Sequence, residues 1–146
     1  MKLFYLLAIA AGLVLPLQIA FNNKLTHFSG NPIVSSLISF SVGTIGLIVY
    51  SLSHPGALQK SLQQVGQAPA YAWLGGVVGA FYIVTTVVAS PKIGLAMFLA
   101  LVIAGQLMMS LAIDHFGLLG MAQKSFTWWK GLGLLCIVAG VVLLKR

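Results

Sequence analysis

Acid is the scarcest chemistry in this chain: Asp114 is its one acidic side chain and Cys136 its one thiol. A lone cysteine inside an apolar run supports neither a disulfide framework nor a metal cluster, so Cys136 reads as inert packing and no metal or cofactor is expected. The three histidines, His27, His54 and His115, show no metal-ligand spacing, and no serine, histidine and acid share a helix face, so no catalytic set is visible. Charge of any sign is sparse. The eight lysines and arginines are scattered singly without a patch or stripe, which argues against nucleic acid and for anchors at a membrane edge.

What remains is hydrocarbon. Sixty per cent hydrophobic residues, 6% charged ones and a mean hydropathy of +1.04 lie outside the soluble range and imply an all-α integral membrane protein. Met1-Lys2 followed by an apolar run has the look of a signal peptide, but the run continues through Gln18 without a cleavage pattern, so it is read as a retained first span. One transmembrane domain over 1–146 is expected, with five helices at about 2–28, 32–52, 71–90, 93–115 and 128–144.

The stretch from Gly12 to Asn23 organises the rest. Pro16 has no N–H, so the carbonyl of Gly12 loses its helical partner and a kink is expected there. Gln18 and Asn22 are four apart and share a face, placing amides beside that break. In a bilayer such groups face protein or a water-filled cavity. They either hold helices together as polar glue or face a solute.

Further on, Gly30 reads as a breaker, Asn31 as an N-cap and Pro32 as the first residue of the second span, which carries Ser35, Ser36, Ser39, Ser41 and Thr44. Ser53 to Ala70 is a solvated or interfacial segment opening on the turn His54-Pro55-Gly56, with His54 exposed. Tyr71 and Trp73 open the third span at the interface, Gly75 and Gly79 give it a small-xxx-small face, and Tyr82, Thr85 and Thr86 lie near its middle. Ser90-Pro91-Lys92 reads as the next turn. Gln106 is a second midplane amide, one turn before Ser110. Thr127 is the expected cap of the fifth span, anchored by Trp128, Trp129 and Lys130; Gly133 and Gly140 suit it to packing or a dimer contact.

Taken together, Gly12-x-x-x-Pro16-x-Gln18-x-x-x-Asn22, Gly30-Asn31-Pro32, Ser39-Phe40-x-x-Gly43, Trp73-Leu74-Gly75-Gly76-x-x-Gly79, Ala104-Gly105-Gln106-Leu107 and Ile113-Asp114-His115-Phe116-Gly117-Leu118-Leu119-Gly120, with Gly131 and Ala139-Gly140-Val141, form a specific combination. It resembles the YdcZ-like family of the drug/metabolite transporter superfamily over essentially the whole chain. The resemblance implies a five-helix unit equivalent to half of a ten-helix inverted-repeat transporter, in the bacterial inner membrane among exporters. It implies no substrate.

The small multidrug resistance proteins, similar in size and superfamily, exchange protons for cations on a glutamate of their first helix. Here that helix offers amides, which neither balance a buried cation nor release a proton. A neutral, zwitterionic or amphiphilic solute fits better, in a midplane cavity lined by Gln18, Asn22, Ser39, Tyr82, Thr85 and Gln106. Pro16 and Gly12 mark the helix break beside it. A non-transporting scaffold, or the accessory half of a heteromer, is the competing reading. Asp114 is either a structural carboxylate bonding backbone N–H groups or a loop lysine at the end of the fourth span, or a proton-coupling one. His115 and His27 read as interfacial.

Five spans place Lys2, Lys60, Lys124 and Lys130 on one face and Lys24, Lys92, Lys145 and Arg146 on the other. A four-to-four balance leaves orientation unspecified, so the expected partner, besides lipid and solute, is a second copy inserted upside down in an antiparallel homodimer.

Overall fold

The computed structural model describes residues 2–145. It is helical throughout: α1 (Lys2–Ser29), α2 (Pro32–Leu52), α3 (Pro55–Val65), α4 (Leu74–Ile93), α5 (Leu95–Phe116) and α6 (Trp128–Leu144), with short 3-10 turns at Ala70–Trp73 and Leu118–Gly120. No strand occurs among the described residues. Four segments are long and apolar enough to cross a membrane: Lys2–Ser29, Pro32–Leu52, Ala70–Ile93 and Leu95–Phe116. The fifth expected span is a shorter apolar helix, Trp128–Leu144, of 17 residues. At 1.5 Å per residue that is about 25 Å, against roughly 30 Å of hydrocarbon.

The chain divides into two compact units, 1–89 and 90–146. In the first, α1 and α2 form a hairpin whose turn is local chemistry. Gly30 takes φ +67, a conformation that costs an L side chain, and its N–H donates to the Thr26 carbonyl at 2.9 Å. Asn31 Oδ1 then accepts the N–H groups of Ile33 at 2.8 Å and Val34 at 3.3 Å, and Pro32 needs no partner at the first position. Pro16 lies inside a helix that runs unbroken from Lys2 to Ser29.

The polar segment after α2 is itself a helix, α3, packed against α2. Leu58, Leu62 and Val65 recur at the spacing of one helical face, while Gln59, Lys60, Gln63 and Gln64 cover the rest. The proline and glycine at its start are compatible with a helix because Pro55 occupies the first turn.

The expected turn at Ser90-Pro91-Lys92 is displaced. The helix continues through Pro91 to Ile93 and breaks at Gly94, whose φ is +84. Pro91 frees only the Val87 carbonyl and has a helical φ of its own, so this close to a helix end it is tolerated; Gly94 provides the real reversal.

In the second unit α5 and α6 pack together and run antiparallel: Leu107 and Leu111 line one groove with Gly133 and Ile137, whereas Met97 and Leu101 line another with Val141 and Val142. Between them the chain at 117–127 is tied back to α5, with Lys124 N–H donating to the Asp114 carbonyl at 2.7 Å and Phe126 N–H to His115 Nδ1 at 3.2 Å. Lys130 Nζ closes the loop on the Ser125 carbonyl at 2.9 Å. Thr127 stands at the cap position of α6, but its side chain makes no capping bond.

Large apolar side chains such as Phe4, Leu13, Phe21, Leu47, Val77, Phe81 and Leu143 are exposed along the spans. Such a surface would drive aggregation in water, but lipid solvates it. Helix association then has no hydrophobic drive and depends on close packing and hydrogen bonds.

Candidate functional site

The buried residues of the first unit are unusually polar. Asn22 is 4% exposed, Ser35 and Thr86 essentially enclosed, and Ser36 buried beside Ile19, Ile83 and Val87. Most of these hydroxyls are satisfied locally. Ser35 and Ser36 donate to the Pro32 carbonyl at 2.9 and 2.7 Å, and Thr86 to the Ile83 carbonyl at 2.7 Å. The Thr26 hydroxyl lies 2.9 Å from the Asn22 carbonyl. The Thr26 and Ser35 hydroxyls are also within hydrogen-bonding distance of each other, joining α1 to α2; whichever of the two donates across gives up its own backbone acceptor, the Asn22 carbonyl for Thr26 or the Pro32 carbonyl for Ser35.

Among the described residues, Asn22 Nδ2 and the Tyr82 hydroxyl are enclosed without a hydrogen-bond partner. An enclosed donor with nothing to bond costs about 1–3 kcal/mol. Such groups mark a position that a water, a solute or a second chain completes.

Next to Asn22 along α1, a cleft of about 240 Å³ opens between α1, α2 and α4. Gln18 and Ser39 supply its amide and hydroxyl, with Thr44, and Phe40, Leu47 and Ile83 its apolar wall. Gly43 leaves its floor open: a methyl group there would meet nothing within 4 Å. By helical rise, Gln18 and Gly43 each lie about 18 Å from the Gly30-Asn31 turn, close to half the hydrocarbon thickness. The cleft contains no carboxylate. It is fitted to hydrogen-bond and to enclose apolar surface, not to neutralise a cation.

Of the six residues expected to line a cavity, Gln18 and Ser39 do line this cleft. Asn22 is buried one turn along α1, and Tyr82 is half-buried on α4. Thr85 spends its hydroxyl on the Phe81 carbonyl at 2.8 Å; its neighbour Thr86 is the buried threonine of α4. Gln106 is exposed at the centre of α5, in the other unit. Thr26 was missed, although Gln18, Asn22 and Thr26 continue one four-residue spacing that is readable in the sequence.

Of the packing glycines, Gly79 faces the Phe40 ring, 3.5 Å from where its Cβ would be, so α4 approaches α2 there. A Cβ on Gly75, Gly133, Gly140 or Gly12 would meet nothing within 4 Å. Asp114 is half-buried near the end of α5, and the structural bond there uses its backbone carbonyl; among the described residues no ion pair or side-chain hydrogen bond reaches its carboxylate. No group of three or more His, Cys, Asp or Glu is arranged to hold a metal among the described residues.

Beside this polar seam and cleft stands a comparison with known families. The family described as "Putative inner membrane exporter, YdcZ" matches residues 3–143. The chain belongs to the YdcZ family. As a member of this exporter family with several apolar spans, it is a multi-pass protein of the cell membrane, and its role is in transport. No curated protein and no solved structure matches the chain.

Proposed function

We propose that this YdcZ-family chain moves a small neutral, zwitterionic or amphiphilic solute by alternating access, as an antiparallel homodimer of five-span units. Gln18, Asn22, Ser39, Tyr82, Thr85 and Gln106 contribute the polar contacts. The observation that carries the reading is the cleft at Gln18 and Ser39, at mid-span and free of carboxylates, with the unpartnered Asn22 amide one turn away. Midplane sites recur in secondary transporters, and Pro16, which leaves the Gly12 carbonyl without its helical donor, stands half a turn from Gln18 within the continuous α1. A second copy in the opposite sense supplies the inverted repeat, and the balanced lysines place no obstacle to dual insertion.

Flux into proteoliposomes, screened over a metabolite panel chosen by thermal shift, tests the site. Gln18→Leu and Gln106→Leu abolish flux while leaving expression and assembly near wild type; flux intact in both variants overturns the assignment. Topology is tested by labelling single cysteines near each terminus in a Cys136→Ala background with an impermeant thiol reagent on intact cells. Partial labelling at both termini is the expected result. Full labelling at one and none at the other sinks the antiparallel arrangement.

The hydrogen bond between Thr26 and Ser35 favours a second reading for part of the seam, in which polar groups only hold α1 to α2 in a scaffold or an accessory subunit. That reading gains if the pure protein transports nothing and co-expression with a paralogue restores flux.

A further inference from the structure

The second unit carries a groove of about 530 Å³ between the end of α4, α5 and α6. Met97 and Leu101, one turn apart on α5, form one wall with Ile93 from the end of α4; Val141 and Val142 form the other; Lys145 stands at the rim. Lys92 directly precedes Ile93 at the same end of the unit, and both lysines are exposed. The chain's one carboxylate side chain, Asp114, is at the far end of α5.

We infer that this groove binds an anionic phospholipid, one acyl chain lying along Ile93, Met97 and Leu101 and the phosphate held by Lys145 and Lys92. The apolar walls suit an acyl chain, and the cations stand at the end of the groove, where long basic side chains anchor at headgroup level. Charge complementarity separates this occupant from a helix of a second copy. A second copy brings the same excess of seven positive charges and a single acidic side chain, so it offers the two lysines almost nothing to pair with. Bacterial-type phosphatidylglycerol offers a phosphate and a chain together.

The test is native mass spectrometry of the full-length protein released from mixed phosphatidylglycerol and phosphatidylcholine nanodiscs. Wild type retains phosphatidylglycerol preferentially. Lys92→Gln and Lys145→Gln each reduce that preference about fivefold, as expected for one basic residue at the headgroup level, whereas Lys130→Gln, at the other end of α6, leaves it unchanged. Leu101→Trp fills the groove and displaces the lipid with both lysines intact; should that variant not fold, the lysine variants decide. Equal retention of the two lipids overturns the proposal, as does an equal effect of Lys130→Gln or of Lys60→Gln, which would mean diffuse surface attraction. A Leu101→Trp variant that alters the dimer fraction but not lipid retention assigns the groove to a protein contact and also overturns it.

Discussion

The two halves of this protein bury different chemistry. In the first unit Asn22, Ser35, Ser36 and Thr86 share the interior with Ile19, Ile83 and Val87; along α5 and α6 in the second, Phe98 and Ala104 are the buried residues, and α6 buries none. In water both would be odd. In lipid, where apolar surface gains nothing by leaving its solvent, the first arrangement specifies a geometry through directional bonds, whereas the packing of α5 on α6 rests on shape; the buried hydroxyl residue of the second unit, Ser90, lies on α4. On the proposed function, most of the polar contacts to a solute come from the polar half, with Gln106 the contribution of the other.

The largest expected contrast between the halves is in transport. Gly43→Leu places a side chain in the open floor of the cleft and lowers flux by at least about tenfold, since mispositioning or excluding a bound solute costs more than one such factor. Gly140→Leu, on a helix face with nothing within 4 Å, leaves flux within about twofold. Equal losses would break the distinction between the two units.

Backbone conformation gives the next contrast. Gly30→Ala forces an alanine to φ +67 and lowers stability by about 1–2 kcal/mol, read as a lower midpoint in detergent-mixture unfolding. Gly12→Ala, in open space within α1, is neutral or slightly stabilising because alanine favours the helix by up to about 1 kcal/mol.

Capping sharpens the comparison further. Asn31→Ala removes the acceptor of two N–H groups and costs about 1 kcal/mol, whereas Thr127→Ala, which removes no capping bond, stays within about 0.5 kcal/mol of wild type. The smallest effect is the coupling between Thr26 and Ser35. A double-mutant cycle of Thr26→Ala and Ser35→Ala yields roughly 0.6 kcal/mol, the usual value for a hydrogen bond between membrane helices. A coupling of zero would remove this bond from the forces holding α1 to α2.

How much was readable from the chain depended on how local the physics was. Gly30-Asn31-Pro32 was legible in full because breaker, cap and first helical residue act within four positions. Pro91 misled for the same reason in reverse: a proline suggests an end, but the break belongs to the residue that accepts positive φ, Gly94. α3 was legible only as a polar segment, since glutamines obscure the three apolar residues that define its face. For the site, helical spacing put Gln18 and Asn22 together on one face. Whether each is buried, open to a cleft or bonded elsewhere depends on what α2 and α4 bring to it.

By itself the sequence determined the membrane habit, the order of the apolar helices, the tight turn between α1 and α2 and the membership in an exporter family, because hydropathy, caps and motif spacing are properties of residues close along the chain. Only the tertiary structure decided that Gln18 and Ser39 meet in one cleft, that Thr86 rather than Thr85 is buried, and that Asn22 Nδ2 and the Tyr82 hydroxyl are enclosed without partners. Neighbouring residues on a helix differ by about 100° in direction, so a burial assignment turns on which helix packs against which face, and that is set by contacts between segments dozens of residues apart.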